Sequence, residues 1–142
     1  MMIMHFSELM FIVAEAVEKG YISGNVEDFY NAGIEANMNY LGIEDTDPYT
    51  TSDEVKLDGS TNLEKIATQK WLSLFLVGNE AWYDIRRTGL PALTPGPNAV
   101  INELPVRVLY PGDEQTLNGS NYDAVIDRQG LDDISTKMWL LK

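Results

Sequence analysis

The residues best placed for chemistry are two carboxylates, Glu80 and Asp84, which lie four positions apart and are followed by Arg86 and Arg87. Carboxylates one helical turn apart share a face, and such a pair could work as a general acid and base. The same spacing also predicts a salt-bridged scaffold, because Asp84 and Arg87 are i, i+3 neighbours and arginines at a helix end often tie down the next loop. We favour the scaffold, since strongly paired ionisable groups are often purely structural.

A second acidic cluster lies between residues 42 and 60, where it could offer oxygen ligands to Ca²⁺. Its members are Glu44, Asp45, Asp47, Asp53, Glu54 and Asp58. Their spacing does not follow the EF-hand loop and lacks its central glycine, so a solvated acidic loop is the favoured interpretation. We therefore predict no bound metal.

Aromatic side chains are the natural candidates for stacking on a ligand. The candidates are Tyr40, Tyr49, Tyr110, Tyr122 and Trp139, of which we single out Tyr49, Tyr110 and Trp139 as ligand-binding residues. Trp71 and Trp82 could also stack on sugar rings, but both fall on an apolar helical stripe with Phe75, which favours core packing.

The composition narrows the class of protein. The 142 residues are 44% hydrophobic and 23% charged, which is typical of one soluble globular domain. A net charge of -12 argues against nucleic acid as a partner, because it would repel a phosphate backbone. Cysteine is absent, His5 is the only histidine, and no hydrolase or phosphate-loop motif occurs. We therefore expect neither catalysis nor a cofactor.

The first forty residues predict a helical hairpin. Apolar residues with helical spacing are Phe6, Leu9, Met10, Val13, Ala16 and Val17. Gly20 should end this helix, and Asn25 should cap a second helix by accepting a bond from the backbone near Asp28. Two antiparallel helices with a tight turn predict a tetratricopeptide-like hairpin over residues 6–41.

A long helix is predicted over residues 61–88. Thr61 and Glu64 form a capping box at its start, and Gly89 and Pro91 should end it. Its predicted buried stripe consists of Leu63, Ile66, Ala67, Trp71, Leu74, Phe75, Gly78 and Trp82.

The remaining residues, 89–142, predict an irregular, loop-rich region with short extended segments. Residues 104–110 could form a strand and residues 121–128 a short helix. The fold class is therefore mainly α.

Several linked motifs resemble the SusD/RagB family. Residues 69–75 read QKWLSLF and residues 78–91 read GNEAWYDIRRTGLP, similar to two helical signatures of that family. Residues 104–111, LPVRVLYP, resemble its later IPxRxxYP element. The signature positions expected to be structural are Trp71, Gly78, Glu80, Trp82, Asp84, Arg86, Arg87, Pro105, Arg107, Tyr110 and Pro111.

The resemblance implies a surface-exposed outer-membrane lipoprotein that binds a glycan, starch-like or other, and passes it without catalysis to a SusC-like TonB-dependent transporter. Residues 1–142 would form the C-terminal part of a SusD/RagB-like domain, roughly its last quarter to third. The opening residues 1–6 do not read as a signal peptide and no lipidation cysteine is present, so this chain alone would be soluble.

Two alternatives stay open. A helical protein–protein interaction module, or a peptide-binding homologue, would share the hairpin architecture. An acidic-residue glycosidase would need two carboxylates facing each other across a cleft. If the helices lack the rest of a SusD-like fold, they should expose an apolar patch, and the fragment is then expected to self-associate.

Overall fold

The computed structural model describes residues 4–141. Residues 1–3, which belong to the segment examined for a signal peptide, and Lys142 lie outside the described residues. The helices are α1 (Phe6–Glu18), α2 (Val26–Tyr40), α3 (Asp47–Thr50), α4 (Asn62–Ser73), α5 (Glu80–Thr88), α6 (Gly112–Leu117) and α7 (Gly119–Gln129), followed by a 3-10 turn at Trp139–Leu141. The mainly α fold class is confirmed. Residues 4–141 contain no helix long and apolar enough to cross a membrane.

The chain divides into two compact units, residues 1–91 and 92–142. The boundary falls beside residue 89, where the sequence pattern changes from helical to irregular. The assignment of both units to one part of a SusD/RagB-like domain stays a prediction.

The predicted hairpin forms the centre of the first unit. The hydrophobic core of this unit contains Phe11, Ala14, Tyr30, Ile34, Val55 and Ile66. Gly33 permits the close approach of α1 and α2, because a Cβ at this position would lie 2.8 Å from the Phe11 ring. Asn25 caps α2 by accepting a hydrogen bond from the Glu27 amide, one residue earlier than predicted, and its side-chain amide donates to the Asp28 carboxylate.

The predicted long helix is in fact two helices, α4 and α5, separated by residues 74–79. Leu76 and Gly78 adopt left-handed backbone angles, with φ of 65° and 54°, and a right-handed helix cannot pass through them. The single helix over residues 61–88 was therefore wrong, although most of this stretch is helical.

The predicted stripe was also partly wrong. Trp71 and Phe75 are exposed, and Trp82 is half-buried. The buried positions of α4 are Asn62, Ile66, Ala67, Gln69, Lys70 and Ser73. The buried face thus includes polar side chains that an apolar pattern does not reveal, among them the charged Lys70.

The start of α4 is fixed by Asp58 rather than by the predicted capping box. The side chain of Thr61 makes no capping bond to α4, and its hydroxyl donates instead to the Asp58 carboxylate. The same carboxylate accepts hydrogen bonds from the Ser60 and Thr61 amides. Asn62 completes the turn by accepting from the Asp58 and Gly59 amides.

In the second unit, α7 confirms the predicted short helix over residues 121–128 and begins two residues earlier. Residues 104–110 do not form a strand, since Pro105 has no amide hydrogen and the Tyr110 amide donates to the Asp132 carboxylate. One backbone bond, from the Val106 amide to the Ile134 carbonyl, joins this segment to the residues after α7.

Candidate functional site

The first signature cluster is an ion network that joins α1, α4 and α5. Arg87 of α5 donates to both carboxylate oxygens of Glu15 on α1, at 2.8 and 2.6 Å. Arg87 also donates to Asp84 at 2.7 Å, and the Lys70 ammonium lies 3.0 Å from the same Asp84 oxygen. The predicted i, i+3 pair is therefore one link in a larger network.

The charges in this network stabilise one another. Bonding to Arg87, reinforced by Lys19, lowers the pKa of Glu15 to about 2, against the opposing effect of burial. The Glu15 carboxylate in turn raises the pKa of Arg87, with a further contribution from Asp84. Glu15 and Arg87 therefore carry their charges across the physiological range of pH.

The surroundings of Asp84 and Glu80 decide whether these two carboxylates could act as a general acid and base. Asp84 is held between two cations, Lys70 and Arg87, and its side chain is mostly buried. Glu80, four residues earlier, is exposed at the start of α5. Both carboxylates border one pocket of about 130 Å³, but Asp84 is ion-paired with Lys70 and Arg87.

Two further signature residues of α5 stack on each other. The Arg86 guanidinium lies 4.3 Å from the centroid of the Trp82 ring, a cation–π geometry. Gly78 precedes this helix in a left-handed turn that L residues adopt only with strain.

The second signature cluster lies in the second unit and centres on Asp132, which sequence reasoning missed. Arg107 donates to Asp132 at 3.0 Å, and the two side chains are only 4% and 5% exposed. The Tyr110 amide and the Tyr122 hydroxyl donate to the same carboxylate. A buried arginine requires an acidic partner, so Arg107 itself was the signal for one.

The aromatic rings around Asp132 are held in place by this cluster. The Arg107 guanidinium lies 5.4 Å from the Tyr110 ring, and the Tyr110 and Tyr122 rings meet edge to face at 6.0 Å. Partial desolvation, together with Asp132, raises the pKa of the Tyr122 hydroxyl. Pro105 and Pro111 flank this segment and are exposed.

The three singled-out aromatic residues have different environments. Tyr49 lies in the first unit with an exposed ring, and its hydroxyl bonds the Gln69 side chain at 2.9 Å. Tyr110 lies in the second unit, half-buried in the Asp132 cluster. Trp139 also lies in the second unit and is 68% exposed. Of the three, Trp139 presents the largest free ring surface.

Of the other aromatic candidates, Tyr40 is 65% exposed and Tyr122 is half-buried. Tyr40 meets the His5 ring edge to face at 5.3 Å, while Tyr122 belongs to the Asp132 cluster.

The acidic loop uses its carboxylates locally. Asp58 bonds the amides of Thr61 and Ser60, which lower the pKa of its carboxyl group, and Asp53 pairs with Lys56. Within the described part of the chain, no group of three or more acidic or histidine side chains is placed to hold a metal ion.

Two hollows lie beside the ion network. The larger, of about 350 Å³, is bordered by Ile12 and Ala16, by the exposed Tyr21, and by the Glu15–Arg87 pair. The smaller, of about 130 Å³, is bordered by Glu8, Leu74, Tyr83 and Asp84. Lys70 and Arg87 border both hollows.

The helical hairpin, together with helices α4 and α5 that ion pairs join to it, places this chain among mainly helical proteins. More narrowly, the chain belongs to the SusD-like family, because the family model described as starch-binding and associating with the outer membrane matches residues 1–111. No curated protein matches the chain.

Solved structures of SusD homologues have the same fold. A homologue from Bacteroides fragilis NCTC 9343 is 31% identical with a TM-score of 0.82, over 99% of this chain and 35% of that protein. A chitin-binding homologue from Flavobacterium johnsoniae is 26% identical with a TM-score of 0.82, over 96% of this chain and 36% of that protein. The chain thus spans about a third of the length of these relatives.

Proposed function

We propose that this chain is part of a non-catalytic protein that binds a glycan at the cell surface and delivers it to a SusC-like TonB-dependent transporter. The observation that carries the proposal is the family match over residues 1–111, whose description names starch binding and association with the outer membrane. The chitin-binding relative from Flavobacterium johnsoniae further supports a carbohydrate ligand.

The environment of the carboxylates supports a binding role rather than a catalytic one. Glycoside hydrolysis requires two carboxyl groups that face each other across the scissile bond. Asp84 is paired with Lys70 and Arg87, and Glu15 is paired with Arg87 and Lys19. Carboxylates held in this way stabilise helix packing and are poorly placed to exchange protons with a sugar.

Trp139 is the side chain of this chain that we assign to glycan contact. Its ring is 68% exposed, and a flat aromatic face suits the apolar face of a pyranose ring. Tyr49 and Tyr110 are weaker candidates, since the Tyr49 hydroxyl bonds Gln69 and the Tyr110 ring packs against Tyr122.

Isothermal titration calorimetry with chitin and starch oligosaccharides tests this assignment. We expect saturable binding of at least one of them, weakened about tenfold in Trp139→Ala, the loss expected when about 1.4 kcal/mol of stacking is removed. Phe75→Ala is the matched control, because Phe75 is also an exposed aromatic residue but is not assigned to the ligand. Equal affinity of Trp139→Ala and wild type would contradict the assignment.

The alternative function, a helical interaction module or peptide-binding homologue, is favoured by one observation. Phe6, Leu9 and Ile12 of α1 are exposed, and exposed apolar residues on one helix face can mark a protein interface. Saturable binding of a peptide, with no binding of any oligosaccharide, would move this alternative to the front. The predicted self-association of the chain stays a prediction.

A further inference from the structure

Residues 96–104 are a stretch of exposed chain near the start of the second unit, before α6. Every residue in it is exposed, and the Val100 side chain is 100% exposed. Within this described stretch one backbone–backbone hydrogen bond occurs, from the Ala99 amide to the Gly96 carbonyl. We call residues 96–104 the open segment.

The loop of residues 42–61 is also long, but its backbone is held in place. The Lys56 amide donates to the backbone carbonyl four residues earlier, and the Asp58 carboxylate accepts from the Thr61 amide. Val55, in the middle of this loop, is 5% exposed and belongs to the hydrophobic core. Length alone therefore does not leave a loop open, and the lack of backbone bonding distinguishes the open segment.

An open backbone of this kind is what an endopeptidase requires. A protease binds its substrate as an extended strand and bonds the backbone of that strand, so a bonded segment must first be freed. Exposed loops with small or polar residues are accordingly the usual sites of proteolytic cleavage. The open segment can enter a protease cleft without the loss of a helix.

The side chains of the open segment indicate which class of protease fits it. Val100 and Ile101 are small aliphatic residues in its middle, 100% and 45% exposed. A small aliphatic side chain suits the small S1 pocket of an elastase-type enzyme, whereas a trypsin-type pocket requires lysine or arginine. The sequence has no lysine or arginine from residue 88 to residue 106, and Arg107 is only 4% exposed.

The position of the open segment leaves both ion networks intact. Glu15 and Arg87 lie on its N-terminal side, while Arg107 and Asp132 lie on its C-terminal side. A cut between them leaves both partners of each ion pair on one fragment. Such a cut therefore favours processing into two fragments over degradation of either one.

We propose that the open segment is a proteolytic processing site, cleaved at the Val100–Ile101 peptide bond by an endopeptidase whose S1 pocket accepts a small aliphatic side chain. Water is the second reactant. Its addition across the peptide bond leaves a carboxylate on Val100 and an amine on Ile101, and the products are residues 1–100 and residues 101–142.

Brief digestion of the folded full chain with a small amount of elastase tests the choice of bond. Intact-mass spectrometry of a time course should show fragments 1–100 and 101–142 before any other pair. Val100→Asp should slow the cut after residue 100 about a hundredfold, because a charge does not suit the apolar S1 pocket. Val108→Asp is the matched control, since Val108 is also an exposed valine of the second unit, and it should leave the rate unchanged.

A pair of isoleucine substitutions tests backbone access separately from side-chain exposure. Ile101 is 45% exposed in the open segment, and Ile43 is 44% exposed in a loop where its amide donates to the Met38 carbonyl. Ile101→Arg and Ile43→Arg each introduce one trypsin site. Each cleavage rate is divided by that of a short peptide of the same local sequence. We expect the corrected rate to be about tenfold higher at residue 101.

Three results would overturn the proposal. The first is an initial elastase cut at any bond other than Val100–Ile101. The second is no cut at all while circular dichroism shows that the helices are retained. The third is equal corrected trypsin rates at residues 43 and 101, which would show that the backbone of the open segment is no more accessible than a bonded loop.

Discussion

Replacing Glu15 with glutamine removes one negative charge from the ion network while keeping the shape of the side chain. The wild-type carboxylate accepts two hydrogen bonds from Arg87 and one from Lys19. The fall in the pKa of Glu15 from 4.5 to about 2 corresponds to about 3 kcal/mol if all of it contributes to folding. Because the Arg87 side chain is half exposed, solvent screening reduces the expected loss to about 1–2 kcal/mol.

The loss should depend on pH in a defined direction. The pKa of Glu15 is lower in the folded state than in the unfolded state, so ionised Glu15 stabilises the fold above about pH 4.5. This contribution declines as the pH falls from 4.5 towards 2, where the folded-state carboxyl group also becomes protonated. The difference in stability between wild type and Glu15→Gln should therefore be largest near pH 7 and small near pH 2.

Urea unfolding, followed by circular dichroism at several pH values, measures this difference directly. Glu35→Gln is the control, since Glu35 is an exposed glutamate of α2. A double-mutant cycle with Arg87→Met isolates the pairwise energy, for which we expect about 1–2 kcal/mol at pH 7. The reasoning is refuted if Glu15→Gln loses as much stability at pH 2.5 as at pH 7, or if the coupling energy is zero.

Three further predictions concern the interior of each unit. Gly33→Ala should destabilise the first unit by about 1–3 kcal/mol, because its Cβ would lie 2.8 Å from the Phe11 ring; an unchanged urea midpoint would show that the ring can move aside. Tyr30→Phe should cost about 1–3 kcal/mol in thermal unfolding, since the buried Val55 carbonyl loses the hydroxyl that donates to it at 2.7 Å. Burial also raises the pKa of Tyr30, so this contribution should be lost as the pH rises above the ordinary phenol value of about 10. Asp132→Asn should destabilise the second unit by about 3 kcal/mol and speed hydrogen exchange of the Tyr110 amide, because buried Arg107 loses its counter-charge; Asp127→Asn, at an exposed position of α7, is the control, and equal exchange in both variants would contradict this role.

The sequence was sufficient to predict structure where local pattern decides it. The apolar spacing from residue 6 onward, with Gly20 and Asn25 at the turn, predicted the α1–α2 hairpin, and the structure confirms it. The division of residues 61–88 was not predictable in the same way. Helical spacing of apolar residues continues through the break, and the left-handed residue Leu76 is not a glycine.

The sequence also did not predict ion pairs between residues that lie far apart along the chain. The sequence predicted the pairing of Arg87 with Asp84, three residues away, but not with Glu15, 72 residues away. The same holds for Arg107 and Asp132, which lie 25 residues apart. Spacing along a helix identifies neighbours on that helix, whereas pairing between elements depends on tertiary packing.

Three signature residues, Asp84, Arg87 and Arg107, use their charged groups in ion pairs inside the chain, which limits their availability to a ligand. Arg87 donates to Glu15 and Asp84, and Arg107 donates to Asp132. Moving either guanidinium to another partner would break an internal ion pair, which is costly. If the proposed function is correct, specificity for one glycan would come from side chains outside the signature, such as Trp139, which is 68% exposed. Starch and chitin, named for this family and for one of its solved members, can accordingly be ligands of proteins that share one scaffold.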